Sequence, residues 1–207
     1  MELSFSDVFL KVLGFSRDVA VRTGWRNISA DHVMLAILRH GDNDACRTLA
    51  ALGADLAAFK CSIDEAVFVD EALPWEERDS VHFCESALSL LQHASLEALR
   101  CRAANVGPLH FLLAVSRMSG SYSHDWLDDR GLSLRDLVEA SGLAWERYGL
   151  TPAKDAACTS GDPSVMLSDS ETSAPDQAGH IPDPVLLAEA IERRLREGYT
   201  TDNPLVS

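Results

Sequence analysis

A chain of 207 residues holds one domain of ordinary size plus a tail, or two small domains, and its 46% apolar content can supply a core. Its 18 basic residues against 32 acids leave a net charge of −14, a surface that repels phosphate backbones, so nucleic acid is not expected as a direct partner. Acids at Glu2 and Asp7 rule out a secretory leader in the first residues, and no run reaches the roughly 18 apolar residues that cross a bilayer, so a soluble, cytoplasmic chain without membrane contact is expected.

The first helix is predicted from about Ser6 to Thr23, where Val8, Val12, Phe15 and Val19 recur at spacings of three and four. Ser29 then caps a second helix starting at Ala30, whose HVMLAIL run is apolar nearly all round and therefore central. A short third helix, about Asp44 to Leu52, is ended by Gly53, and Asp55 caps a fourth. The stretch 64–79 carries seven acids, one arginine and Pro74; it reads as a connecting loop, either a solvated acidic linker or a docking surface for a basic partner.

The same order then recurs. A long helix is expected over about Ser80 to Ala103, and Gly107 with Pro108 opens a helix containing HFLLAV. A short helix over about Ser123 to Arg130 is closed by Gly131, and Ser133 caps the next. Past Leu150 the chain turns rich in Pro, Ser, Asp and Gly, which predicts a disordered acidic linker over 151–183. An amphipathic helix is expected at 184–198, with Val185, Leu186, Ala188, Ile191 and Leu195 broadly on one side. At this length it needs a partner or its own domain to fold against.

Laid over itself at an offset of 78, the sequence aligns without insertion: Ala20 meets Ala98, Asn27 meets Asn105, His32 meets His110, Leu35 meets Leu113 and Gly53 meets Gly131. An internal duplication explains this register. The expected fold is all-α, with two tandem pseudo-symmetric four-helix repeats (about 1–68 and 79–145, within a 1–150 domain) and about eight helices.

Five cysteines without a CxxC pair read as free buried thiols of a reducing compartment, and no metal or other cofactor is expected. No paired acids, nucleophile arrangement or GxxxxGK[ST] phosphate loop stands at usable spacing, so the chain is read as non-enzymatic.

The duplicated pattern, NISADHVMLAIL and NVGPLHFLLAV each followed by a short glycine-closed helix, resembles the Clp N-terminal domain, the double repeat at the front of Hsp100-class ATP-dependent unfoldases. The resemblance covers residues 1 to about 145 and lacks the ATPase domains, so the chain is similar to a stand-alone relative of that module. It implies a non-catalytic module that binds adaptors or exposed apolar segments, here an accessory or adaptor of a Clp-type unfoldase or protease, with a protein or peptide partner such as a Clp-type ATPase or an unfolded substrate. The family's recurrent histidine is matched by His32 and His110, which are assigned a structural role with Gly53 and Gly131. Phe5 and Phe83, at the entries of the two first helices, either anchor those helices or line the groove in which the family accepts ligands. Where relatives often carry basic residues this chain has Leu10 and Leu88, which favours an apolar ligand. Leu186, Ile191 and Leu195 of the terminal helix complete the candidate contact residues, the tail being either a tethered peptide ligand or without function. The alternative is a structural or scaffold component that contacts another assembly through that helix.

Overall fold

The computed structural model describes residues 4–69, 71–144 and 183–198. Among them are nine α-helices: α1 (Asp7–Arg22), α2 (Ala30–His40), α3 (Asp44–Ala51), α4 (Leu56–Val67), α5 (Glu85–Cys101), α6 (Pro108–Arg117), α7 (Tyr122–Asp128), α8 (Leu134–Ala140) and α9 (Pro184–Gly198), plus a 3-10 turn over Trp75–Ser80. The fold is all-α. Helices α1 to α4 start at 7, 30, 44 and 56, and α5 to α8 at 85, 108, 122 and 134, an offset of 78 at every start.

The starts are set by caps. Ser6, Ser29, Asn43 and Asp55 each accept a backbone N–H of the first turn through a side-chain oxygen, as do Ser121 and Ser133. Every residue from His32 to Leu38 in α2 and from Pro108 to Val115 in α6 is buried, so these two runs form the centre. α1 packs on α2, and α5 on α6.

The two halves are stitched by features too short to read from sequence. β1 (Ser4–Phe5) pairs in parallel with β4 (Asn105–Val106), while β2 (Asn27–Ile28) pairs with β3 (His82–Phe83), so each half lends its entry strand to the other. The Asp31 carboxylate accepts from Ser123 N at 2.8 Å and Ser123 Oγ at 2.6 Å at the start of α7; Asp44 accepts from Leu109 N at 3.1 Å at the start of α6. Both carboxylates thus meet the unsatisfied N–H groups and positive end of a helix in the opposite half. Phe59 of α4 stacks on Trp126 of α7 with ring centroids 3.8 Å apart, and Arg130 lies over the same indole.

The acidic connection is tied down. Val69 N donates to Thr23 O, Leu73 N donates to Val21 O, and Arg78 pairs with Asp18 of α1. The crossing explains Gly24: at φ +85 a Cβ there would lie 2.3 Å from the Glu71 carbonyl oxygen. Arg102 holds the matching place in the second half, also at positive φ (54°).

The cysteines differ from the buried set expected. Cys46 is buried, Cys84 and Cys101 are half-buried and Cys61 is exposed, because Cys61 falls on the solvent side of α4, whose buried residues are Phe59, Ile63 and Val67. The linker expected at 151–183 lies, apart from Asp183, outside the described residues, as do Trp145 and Cys158.

Candidate functional site

The terminal helix is amphipathic in the register of Leu187, Ile191 and Leu195, three apolar side chains at four-residue steps that lie on one helix face. All three are buried, at 6%, 0% and 5% exposure, and α9 packs across both α1 and α5. These two helices start at Asp7 and Glu85, 78 positions apart. Val185 and Leu186, which the sequence pattern placed on the same side, are exposed at 63% and 59%. Leu187 takes the inner position instead, because it precedes Ile191 by a full four residues and Leu186 by five.

One ion pair fixes the helix along the groove. Arg17 of α1, whose side chain is only 6% exposed, donates from Nη2 to Glu192 Oε1 at 2.5 Å. His82 Nδ1 stands 3.9 Å from the same carboxylate oxygen. The position of α5 that matches Arg17 at the offset of 78 is Ser95, which donates its hydroxyl to Leu91 O, so α5 carries no arginine at that place. A buried guanidinium demands a carboxylate partner, since leaving it alone costs several kcal/mol, roughly 3–5 by analogy with broken buried pairs.

The sequence-derived candidates fall in different surroundings. Phe5 is half-buried with its ring 5.8 Å from that of Phe9, and with Leu10 and Arg194 of α9 it lines a cleft of about 430 Å³. Phe83 is buried at 8% exposure, next to the His82 that faces Glu192, and Leu88 is half-buried against the core. Ile191 and Leu195 are on the docked face and Leu186 is on the outer one. Sequence reasoning missed Arg17, Glu192 and Leu187; the signal for Arg17 was a cation placed on the face of α1 that buries Leu13 and Ala20.

A larger cleft of about 570 Å³ opens on another side of α1, between Phe15, Val19, Leu73 and Trp75. Its two arginines, Arg22 and Arg39, already share Asp64 at 2.6 and 3.1 Å.

The paired histidines have a defined place. His32 Nδ1 accepts the Ser29 backbone N–H at 3.0 Å, and its Nε2 stands 3.1 Å from Thr23 Oγ1. His110 Nδ1 accepts the Gly107 N–H at 2.9 Å. Burial lowers the His32 pKa to about 4 and also lowers that of His110, against weaker opposing charges at Asp31 and Asp44. Both rings are neutral acceptors for the orphan N–H of their own helix cap. Gly53 and Gly131, at φ +74 and +66, take the left-handed conformation that ends α3 and follows α7. Among the described residues no group of three or more His, Cys, Asp or Glu is arranged to hold a metal ion, and no helix is long and apolar enough to cross a membrane.

The sequence model of the Clp repeat N-terminal domain matches residues 4–129, more than half of the chain. The chain belongs to this Clp N-terminal domain family. It corresponds to the non-catalytic N-terminal region of Clp ATPases. Over 130 residues it is 27% identical to the chaperone protein ClpB of Oceanobacillus iheyensis and 25% identical to the negative regulator of genetic competence ClpC/MecB of Bacillus subtilis. Each alignment covers 63% of this chain but only 16% of the relative. In fold it is similar to the N-terminal domain of the chaperone ClpD from Arabidopsis thaliana, with a TM-score of 0.50 and 13% identity over 66% of this chain and 91% of that one. The family model's match ends at residue 129, before α9 begins at Pro184.

Proposed function

We propose that this protein is a non-catalytic protein-binding module of the Clp system, an accessory or adaptor of a Clp-type ATPase, built from two copies of one four-helix repeat. The duplication reading is supported by the constant offset of 78 at the helix starts and by the reciprocal strand pairs β1–β4 and β2–β3. The binding reading is supported above all by one observation: the groove between α1 and α5 holds an amphipathic helix by three apolar side chains and one buried ion pair. Its chemistry is burial of apolar surface, worth about 1.5–3 kcal/mol per fully buried aliphatic side chain, without bond making. The acidic surface and the Clp relatives point to a protein or peptide partner in the cytoplasm rather than to nucleic acid.

Affinity capture from native cell extract tests this, using the full chain and its Ile191→Asp variant as baits. The reading expects a Clp-class ATPase, its protease or their clients on at least one bait; their absence from both overturns it.

A second reading rests on the outer face of α9, where Val185 and Leu186 are exposed side by side. There the chain is a scaffold part that contacts another assembly through this helix. A complex lost on Leu186→Asp, with α9 still docked, is the result expected of that reading.

A further inference from the structure

The groove already contains a ligand, and that ligand's chemistry specifies what else fits. α9 presents Leu187, Ile191 and Leu195 at steps of four, with an acid immediately after the central anchor. Each feature meets a matching one: the apolar residues are almost fully buried on α1 and α5, and Glu192 neutralises an Arg17 that has little contact with water. An isolated helix of 15 residues is marginal in water, so α9 owes its order to the groove. Its apolar face is thus complementary to the groove, as the face of a captured helix would be.

We infer that α9 is a tethered, displaceable occupant of the α1/α5 groove, and that the external partners of this groove are amphipathic helical segments with apolar residues at i, i+4 and i+8 and an acid at i+5. The inference rests on the binding-module reading and names its ligand class. The acid is the selective element. An incoming helix without it strands the Arg17 guanidinium, which is buried at the same point and pairs there with Glu192. A helix carrying a base there meets like charge at contact distance. The apolar anchors alone do not discriminate so sharply, since a hydrophobic face accepts many side chains of similar size.

Occupancy by α9 sets a threshold. The helix is joined to the repeat domain through residues 145–182 of the same chain, so its docking is intramolecular and its effective concentration is of the order of millimolar for a tether that spans the site. An external helix of equal intrinsic affinity binds only the fraction of molecules whose groove is open, and its apparent affinity falls by that fraction. Weak, non-matching segments are turned away while matching ones, or those delivered at high local concentration, displace α9.

The test uses a fluorescent synthetic peptide with the sequence of residues 184–198, titrated into the full-length protein and its Ile191→Asp variant. The substitution puts a carboxylate on the docked face of α9 and leaves the repeat domain untouched. The expected result is at least tenfold tighter binding to the Ile191→Asp chain than to the wild type. A peptide carrying Glu192→Arg should bind that chain at least tenfold more weakly than the unchanged peptide, and an Arg17→Glu change in the protein should restore part of the loss. The peptide arm carries the charge reversal, so the conclusion stands even where Arg17→Glu fails to fold. Equal affinity for wild type and Ile191→Asp overturns the tethered occupant, and indifference to the sign at position 192 overturns the ligand pattern. A wild-type protein that sediments as a dimer, and as a monomer once Ile191→Asp is introduced, also overturns it by placing α9 on a second copy. Peptide binding that follows the expected pattern without capture of any Clp-class protein leaves this inference standing and removes the Clp reading, so the two fail separately.

Discussion

Arg17 and Glu192, 175 residues apart in the chain, form an ion pair in which the guanidinium is almost wholly buried. The pair joins the first helix to the last. Because α9 is a separate segment, the cost of breaking the pair is capped by the free energy of docking: a helix that leaves returns water to Arg17, whereas an internal core element cannot leave.

Glu192→Ala is therefore expected to release α9 selectively. Hydrogen exchange of amides 184–198 should accelerate while the urea midpoint for α1 to α8 barely moves. A global loss of 3–5 kcal/mol, about the cost of orphaning a buried charge, with α9 still protected would show that the helix is an integral part of the core.

The His32 ring makes the domain acid-sensitive in a definite window. Its folded pKa of about 4 lies below the ordinary 6.5, so the unfolded chain binds the extra proton first as pH falls. Stability is fully present above pH 6.5 and is lost as pH drops towards 4, by up to about 1.4 kcal/mol per unit from this group. His110 is shifted the same way and adds to the slope. Denaturant titrations between pH 4 and 7 should show this decline, and His32→Gln, which keeps an acceptor oxygen and removes the titration, should flatten it.

Phe59 is fully buried and stacks on Trp126 across the two halves. Phe59→Ala removes that face of the indole's contact and opens a cavity, at a cost of about 3–5 kcal/mol. Urea unfolding followed by tryptophan fluorescence should report both the loss and an altered Trp126 emission before unfolding.

Gly24→Ala meets a backbone oxygen at 2.3 Å in a left-handed conformation, so it should destabilise by about 1–3 kcal/mol and loosen the linker at Glu71. Arg102→Gly, at the matching place where the non-glycine residue already holds positive φ, should be neutral or slightly stabilising. Thermal melts should fall for Gly24→Ala and should not fall for Arg102→Gly.

The helices were legible because their signals are local. Ser29, Asp55 and Ser133 were identified as caps from their own side chains, and all three cap in the structure. The terminal helix was found over its full span, 184–198. What could not be read is what depends on distance: two-residue strands paired between segments far apart in the chain, the Asp31 and Asp44 contacts with α7 and α6, and the Arg17–Glu192 pair. Of the inner residues expected of α9, Ile191 and Leu195 are buried, while Leu187 holds the place given to Val185 and Leu186, the four-residue step back from Ile191 having been passed over in a run of three apolar residues. Family resemblance pointed to the region of Phe5 and Phe83, but the occupant of the groove lies outside the matched residues.

The most direct measurement is hydrogen exchange by mass spectrometry on the full-length protein, with and without a saturating external peptide of sequence 184–198 bearing a mass label. The account predicts that the added peptide leaves α1 and α5 protected while the chain's own residues 184–198 become fast-exchanging, one helix having replaced the other. Bound peptide with undiminished protection of the chain's own α9 would place the ligand elsewhere and contradict the groove as the binding site.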